Sequence, residues 1–273
     1  MTQTRRTHLK SLRSMLAAPF MSLAAGPDFS SYTDKAKEKF LLTGRIVSVE
    51  EIGHGVTKPL KVTLELDGIT HAAKIQSIDK VLPDFFAEDG TRVPMKDSWR
   101  FNIAAYKVDR LLQLNMVTVE VPRLYKGKPA AFSWWVDDVM FEEVERIEKD
   151  LTPPDPKDFE RQRAVSRVFD ELIINIDRNL SNLLITKRWK LALMDHSRSF
   201  TPYHGIRNKR NLTQCSRNLL EMMKKLTPAS VSRAVETHLT PPERQALIAR
   251  RDRIVDFFEQ RAKEQGEENV LFS

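Results

Sequence analysis

The fold is decided by a stretch in the second half of the chain, where residues 175–200 read NIDRNLSNLLITKRWKLALMDHSRSF. Two short apolar runs lie on either side of Lys187-Arg188, a pattern that predicts a β-hairpin. Asp177 and Asn182 come just before its first strand, and Asp195 comes at the end of its second strand. Because antiparallel strands begin and end at the same edge, we expect these three polar side chains to emerge together.

Such a group of oxygen donors is suited to a divalent cation. Mg²⁺ and Mn²⁺ bind hard oxygen ligands and usually keep several water or phosphate oxygens, so one Asp and one Asn suffice when a nucleotide supplies the rest. Asn182 and Asp195 fit that role, which leaves Asp177 as a spare carboxylate. In the alternative interpretation, Asp177 and Asp195 only cap turns around a buried hairpin.

The same residues resemble the catalytic and metal-binding loops of atypical kinases. The shared pattern is Asp-Arg-x-x-x-Asn, then a hairpin, then a hydrophobic residue followed by Asp, and the chain matches it in order from Asp177 to Asp195. Atypical kinases of this kind include the phosphatidylinositol kinases, the HipA-type kinases and secretory-pathway kinases such as the Golgi casein kinase and glycosaminoglycan xylosylkinase. The resemblance is closest to bacterial members of the secretory-pathway group.

The resemblance implies an α+β, two-lobed protein-kinase-like fold, with an antiparallel β-rich N-terminal lobe that carries one helix and a helical C-terminal lobe that contains the catalytic-loop hairpin. It also implies an ATP-dependent phosphotransferase that uses Mg²⁺ or Mn²⁺ and acts on a hydroxyl group of a protein or sugar. By this likeness Asp177 is the catalytic base, and Asn182 and Asp195 are the metal ligands. Arg198 either contacts phosphate or pairs with an acid.

Two features of the first half fit the same expectation. A Gly-rich turn contains Gly53, Gly55 and Thr57, and its backbone N–H groups can approach phosphates because two positions lack side chains. Lys74 lies between small apolar residues on the third predicted strand, where kinase-like folds keep the lysine that contacts the nucleotide phosphates. Taken alone, the first is an ordinary turn and the second an ordinary strand lysine.

One residue departs from the family pattern. In related kinases the helix after this strand contributes a Glu that pairs with the lysine or binds metal, and the matching position here is Asn102, which we assign to the cofactor site. An amide carries no charge, so Lys74 loses its strongest expected partner. Asp109, two helical turns on, takes that place only if the helix is shifted. A second hypothesis is therefore a pseudokinase, which binds nucleotide or a partner without turnover.

Apolar periodicity divides the chain into a β-rich half and a helical half. Alternation predicts strands at 40–49, 60–66, 69–75, 116–121 and 130–136, and a 3.6-residue period predicts a helix over 98–112. Further helices are predicted at 139–150, 157–175, 214–226, 229–238 and 242–263. We assign residues 26–39 to a linker, 40–138 to a nucleotide-binding N-terminal lobe, and 139–273 to a C-terminal lobe with the catalytic loop and metal site.

Residues 1–25 have the pattern of a targeting segment. They hold four basic residues and no acid, and an apolar run follows that ends in Ser-Leu-Ala-Ala. The segment Thr4 to Lys10 also resembles a twin-arginine export motif. We expect export to the periplasm or the medium, with cleavage near Ala25 and no transmembrane span in the mature chain. The alternative is a cytoplasmic protein that begins with a frayed basic helix.

Composition excludes several other functions. Lys and Arg number 44 against 37 Asp and Glu, a net charge of +7, but the two signs are interleaved along the chain. No basic stripe suited to DNA or RNA stands out, so we do not expect nucleic acid as a partner. With Cys215 as the single cysteine, neither an intramolecular disulfide nor a zinc site of two thiolates can form. The expected partners are a nucleotide and a hydroxyl acceptor.

Overall fold

The computed structural model describes residues 29–52, 59–86 and 90–273. Two of the sequence predictions lie outside these residues: the targeting segment 1–25, and the phosphate-binding turn with Gly53, Gly55 and Thr57. Within the described ranges, no helix is long and apolar enough to cross a membrane.

The N-terminal half is a twisted sheet with two helices packed against it. Helix α1 is Asp34–Thr43 and helix α2 is Trp99–Leu111. The strands are Arg45–Glu51 (β1), Leu60–Leu66 (β2), Ile69–Gln76 (β3), Asp79–Phe86 (β4), Arg92–Ser98 (β5), Glu120–Tyr125 (β6) and Lys128–Trp134 (β7). Of the strands in the described part of the chain, five form one antiparallel sheet in the order β1-β2-β3-β7-β6, and β4 pairs with β5. Asp67 and Gly68, both at positive φ, make the tight turn between β2 and β3.

The prediction of a first strand over 40–49 is wrong for its first residues. Residues 40–43 form the last turn of α1, which begins after Thr33, whose side chain accepts a hydrogen bond from Ala36 N at 3.3 Å. Phe40 and Leu41 are buried against the sheet, while Leu42 is exposed. An apolar run of this length fits a helix or a strand equally well, and here the N-cap decides. The helix also includes residues 34–39 of the predicted linker.

The hairpin of β4 and β5 was not predicted. It is inserted between the third strand of the sheet and helix α2, and it is largely exposed: Val81 is 80% and Phe86 is 71% accessible to solvent. Strand β4 has no buried residue, so no buried face imposes alternation on its sequence, and the buried residues of the hairpin lie on β5. Its last residues return to the centre of the molecule, where Ser98 N donates to Ser197 O at 2.8 Å.

The C-terminal half is mainly helical. Its elements are Val139–Glu142 (β8), Glu143–Glu148 (α3), Pro156–Ile173 (α4), Leu183–Thr186 (β9), Leu191–Leu193 (β10), Cys215–Ser216 (β11), Arg217–Lys225 (α5), Pro228–Val235 (α6), Pro241–Gln265 (α7), Glu267–Val270 (α8) and Leu271–Phe272 (β12). The hairpin predicted over 182–195 is confirmed as β9 and β10. The helix predicted over 139–150 is wrong at its start, because residues 139–142 form β8, which pairs with β9.

The two halves share one hydrophobic core and pair directly at the end of strand β10. Buried residues of the sheet, such as Val62 and Phe132, belong to the same cluster as Phe169 of α4 and Phe258 of α7. Val117 forms an isolated parallel bridge with Leu193, the last residue of β10. This bridge sets the β9–β10 hairpin against the sheet, so the mixed α+β fold has a β-rich half and a helical half joined at the hairpin.

Candidate active site

The hairpin register brings Asn182 and Asp195 to the same edge. Leu183 pairs with Leu193, so Asn182 lies opposite Met194, whose backbone N donates to Asn182 O at 3.0 Å. The side chain of Asn179 caps the short 3₁₀ turn Leu180–Asn182 by accepting from Asn182 N at 3.1 Å. The spacing of the sequence motif thus places Asn182 beside the residue that precedes Asp195.

Arg178 fixes this edge to the rest of the C-terminal half. Its Nε and Nη2 both bond to the carboxylate of Asp170 on α4 at 2.9 Å. Its Nη1 donates to Asn182 O at 3.1 Å and to Met194 O at 2.6 Å, so one guanidinium holds both strands of the hairpin. Planar, forked donors of this kind are specific to Arg. The sequence pattern contains Arg178 but did not assign it this role.

Asp195 combines an unusual backbone with a strong electrostatic setting. Its φ is +51°, a left-handed conformation that is uncommon outside glycine and that recurs at functional sites. Its Oδ1 accepts from Gln76 Nε2 and from Ser197 N, both at 3.4 Å. Burial alone would raise the pKa of Asp195, but the Lys74 ammonium and these hydrogen bonds hold it below its ordinary value. Asp195 is therefore an ionised carboxylate at neutral pH.

Lys74 lies on the central strand β3 and reaches the same place from the N-terminal half. Its side chain is only 6% exposed, and among the described residues no carboxylate lies within ion-pair distance of its Nζ. Two carboxylates are near enough for Lys74 to lower their pKa values, Asp195 and Glu120. A buried ammonium with its charge directed at this edge is suited to binding an anion.

Asn102 links helix α2 to Asp195 through amide groups. Its Nδ2 donates to Gln76 Oε1 at 2.9 Å, and its Oδ1 accepts from His196 N at 2.7 Å. Because Gln76 in turn donates to Asp195, the fully buried Asn102 positions the aspartate indirectly. Asn102 makes no hydrogen bond to Lys74 within the described ranges.

Asp109 does not replace the missing carboxylate. It is fully buried and accepts from Met116 N at 3.0 Å and Val117 N at 3.1 Å, and it also pairs with Arg110. These contacts shape the chain after helix α2. Asp109 therefore supports the segment that pairs with the hairpin.

Glu120 is a carboxylate of the site that the sequence did not single out. It is 3% exposed, and Ser133 Oγ donates to its Oε2 at 2.6 Å. Burial, reinforced by the charge of Asp195, raises the pKa of Glu120 to about 7, although Lys74 and the Ser133 hydrogen bond oppose the rise. In the sequence, the sign of this site is a glutamate between two valines, Val119 and Val121, both of which the structure buries.

Asp177 lies at the exposed rim of this region. Its Oδ2 accepts from Arg198 Nη1 at 3.0 Å, and Arg198 Nε donates to the buried Asp97 at 2.9 Å. Half of the Asp177 side chain is accessible to solvent. Of the two roles considered for Arg198, the one observed is pairing with acids.

The donor set fits a divalent cation only together with other ligands. Among the described residues, no group of three or more His, Cys, Asp or Glu side chains is placed to hold a metal ion. A carboxylate at Asp195 and an amide at Asn182 are hard oxygen donors, which suit Mg²⁺ or Mn²⁺ when phosphate or water oxygens complete the shell. The site is thus suited to a metal that arrives with an anion.

The fold of this chain is similar to that of several solved structures, at low sequence identity. No protein-family model matches the chain, and no curated protein matches it. The fold is similar to that of a hydra Fam20 determined with sugar, at a TM-score of 0.65 and 14% identity, over 87% of this chain and 91% of that one. It is also similar to the Golgi casein kinase with Mn/ADP bound, at a TM-score of 0.60 and 13% identity, over 87% of this chain and 78% of that one. A third similar structure is the Helicobacter pylori proinflammatory kinase CtkA, at a TM-score of 0.52 and 11% identity, over 82% of this chain and 98% of that one.

Proposed function

The chain has an atypical kinase-like fold, and we propose that it is an ATP-dependent kinase that requires a divalent cation and transfers a phosphoryl group to a hydroxyl of a protein or sugar. The observation that carries this proposal is the convergence of Lys74, Asn182 and Asp195 where the two halves meet. A buried cation and hard oxygen donors at one place suit the polyphosphate of a nucleotide and its metal.

Each residue has a distinct role in the proposed reaction. Asn182 and Asp195 hold Mg²⁺ or Mn²⁺, which offsets the negative charge of the phosphates when it is bound. Lys74 binds phosphate oxygens from the side of the sheet, and Asn102 keeps Asp195 in place through Gln76. Asp177 accepts the proton of the attacking hydroxyl, and its exposure leaves it open to an acceptor. Residues 40–138 thus bind the nucleotide, assisted by the turn with Gly53, Gly55 and Thr57, and residues 139–273 supply metal ligands and base.

A second candidate is a nucleotide-binding module without turnover. It is favoured by the ion pair between Arg198 and Asp177, because a carboxylate oxygen that is bonded to a guanidinium is not open to an acceptor hydroxyl. For Asp177 to act as a base, an acceptor hydroxyl must compete with Arg198 or approach the second carboxylate oxygen.

One experiment separates these functions. Binding of ATP and GTP to the full chain is measured with Mg²⁺ and with Mn²⁺, together with release of nucleoside diphosphate. Binding with diphosphate release supports the kinase, and binding without release supports the second candidate. The absence of metal-dependent nucleotide binding would contradict both.

Export is the proposed location. Its support is the basic, acid-free segment of residues 1–25 with its apolar run, and one of the similar structures is a kinase of the Golgi, a secretory compartment. Mass spectrometry of the protein from its own cells should find a mature N-terminus near Gly26. A cytosolic chain that retains residues 1–25 would contradict export.

A further inference from the structure

The sheet aligns Lys74 and Glu120 on either side of one small residue. In the antiparallel register, Lys74 of β3 pairs with Ser133 of β7, and Glu120 of β6 pairs with the same Ser133 from the other side. Directly paired residues of neighbouring strands point to the same face, and neighbouring strands lie about 4.8 Å apart. Because Ser133 is short, the long side chains of Lys74 and Glu120 can approach each other above it.

This face is the one that carries the site. Gln76, two residues after Lys74 on the same strand, points to the same face and contacts both Asn102 and Asp195. Lys74 lowers the pKa of both Glu120 and Asp195, so its ammonium lies in the electrostatic range of both carboxylates. Lys74 and Glu120 are 6% and 3% exposed, and although their charged atoms lie beyond ion-pair distance, the charge of Lys74 acts on the carboxyl group of Glu120.

Two other side chains near Lys74, those of Asn102 and Asp195, cannot balance its positive charge when nucleotide and metal are bound. Asn102 is neutral, and its amide is occupied by Gln76 and by the backbone of His196. Asp195 is the proposed ligand of the metal, and a bound cation would neutralise its charge toward Lys74. Glu120 is then the carboxylate that remains to hold the ammonium when nucleotide and metal are present.

We propose that Glu120 is the positioning residue for Lys74: its carboxylate, carried by strand β6 in place of helix α2, directs the ammonium toward the phosphates of a bound nucleotide. The inference rests on the proposed nucleotide-binding function. It assigns the acidic partner of Lys74 to β6, which is separated from β3 by strand β7, and it leaves Asn102 to position Asp195. Glu120 touches neither the phosphates nor the acceptor and acts only through Lys74.

A double-mutant cycle tests the pairing without any nucleotide. The unfolding equilibrium constant of the full chain is measured at pH 8 for wild type, Lys74→Met, Glu120→Gln and the double variant. The effect of Glu120→Gln on stability should be less favourable when Lys74 is present than when it is replaced by methionine, with a coupling of about tenfold in the equilibrium constant. Equal effects in both backgrounds would overturn the pairing. If Glu120→Gln does not fold, Glu120→Asp replaces it in the cycle with Lys74→Met, because the shorter side chain draws the carboxylate away from Lys74.

Binding of ADP with Mg²⁺ tests the positioning role. Glu120→Gln should raise the dissociation constant by about tenfold, the size of one lost charged contact, and Glu120→Asp should recover part of this loss. In the Lys74→Met background, Glu120→Gln should add nothing. Glu143→Gln is the matched control, since Glu143 is a fully buried glutamate paired with Arg146 on α3, and it should leave ADP affinity unchanged.

The outcomes separate this inference from the proposed function. If wild type binds no ADP with either metal, the proposed function fails, and the stability cycle still decides whether Lys74 and Glu120 are coupled. If wild type binds ADP and Glu120→Gln weakens binding equally in the wild-type and Lys74→Met backgrounds, the inference fails while the proposed function stands.

Discussion

Arg198 bridges two aspartates that belong to different halves of the molecule, and one of the two, Asp177, is the proposed base. Nη1 donates to Asp177 at 3.0 Å, while Nε donates at 2.9 Å to Asp97, at the end of the exposed hairpin. Asp97 is buried and belongs to the N-terminal half, so the bridge ties the proposed base to the lobe that would bind the nucleotide. Asp177 is thereby held in one orientation before any acceptor arrives.

Replacing Asp177 should separate the rate of transfer from nucleotide binding. In Asp177→Asn, the side chain keeps its shape but cannot accept the proton of the acceptor, so turnover should fall by about 10²- to 10⁴-fold while ADP affinity stays close to that of wild type. Nucleoside diphosphate release and calorimetric binding give the two quantities. Asp158→Asn is the control, because Asp158 is a similarly exposed aspartate on α4. An equal loss of rate and affinity would assign Asp177 a structural role.

Asp195 should be required for the metal-dependent part of nucleotide binding. Phosphates and a carboxylate repel each other unless a cation lies between them, so Asp195→Asn should abolish the stabilisation that ATP gives with Mg²⁺ or Mn²⁺. For wild type, ligand at 100 times its dissociation constant stabilises the fold by about 2.7 kcal/mol. Thermal unfolding with and without chelator measures this. A shift that survives in Asp195→Asn, or one that chelator leaves unchanged, would contradict the metal role.

Glu120 should make the protein less stable as the pH rises toward neutral. Burial raises its pKa to about 7 in the folded chain, above the ordinary value of 4.5. Between these two values the folded state binds more protons at this site than the unfolded state, so the free energy of unfolding falls as the pH rises from about 4.5 to 7. In Glu120→Gln, the free energy of unfolding should fall less over this pH range than in wild type. Urea unfolding at a series of pH values measures the difference.

Ser133→Ala should change the pH dependence of stability in the opposite direction to Glu120→Gln. The hydroxyl of Ser133 donates to Glu120 and lowers its pKa, so its removal should extend the decline to higher pH. If Glu120→Gln and wild type have the same pH profile, Glu120 is more hydrated than its burial indicates.

The hairpin and its loops were predictable because their geometry is local. Asp177, Asn182 and Asp195 lie within one short stretch, and the antiparallel register of the hairpin alone brings the last two to the same edge. Lys74 could be placed from its order along the strands. Glu120 could not, since its position beside Lys74 depends on β7 pairing with both β3 and β6, which connects segments far apart in sequence.

Two errors in the predicted elements have related causes. The strand prediction includes residues 40–43 because their apolar run continues into the alternating residues that follow. The deciding contact is the cap at Thr33, which lies outside that run. The β4–β5 hairpin was missed because none of the residues of β4 is buried, so the sequence of this strand carries no hydrophobic alternation. In both segments, contacts with residues outside the segment determine the secondary structure, and the local sequence pattern does not.

Introducing the family carboxylate at position 102 should weaken the protein. In Asn102→Glu, the new side chain accepts from His196 N but cannot donate to Gln76 Oε1, and turning the Gln76 amide to compensate would direct its oxygen at Asp195. A third carboxylate would also enter a buried region that already holds Glu120 and Asp195. We expect a loss of about 2 kcal/mol or more in the free energy of unfolding, together with weaker ADP binding, because Asp195 is no longer held in place.

The matched control for position 102 is Arg100→Glu on the same helix. Residue 100 is exposed, so the same new side chain should change the free energy of unfolding by no more than about 0.5 kcal/mol. Urea unfolding and ADP titration of both variants give the comparison. This expectation rests on the proposed role of Glu120 as the carboxylate that positions Lys74. If Asn102→Glu instead tightened ADP binding without loss of stability, Lys74 would lack a partner in the native chain, and the helix, not strand β6, would be where its countercharge belongs.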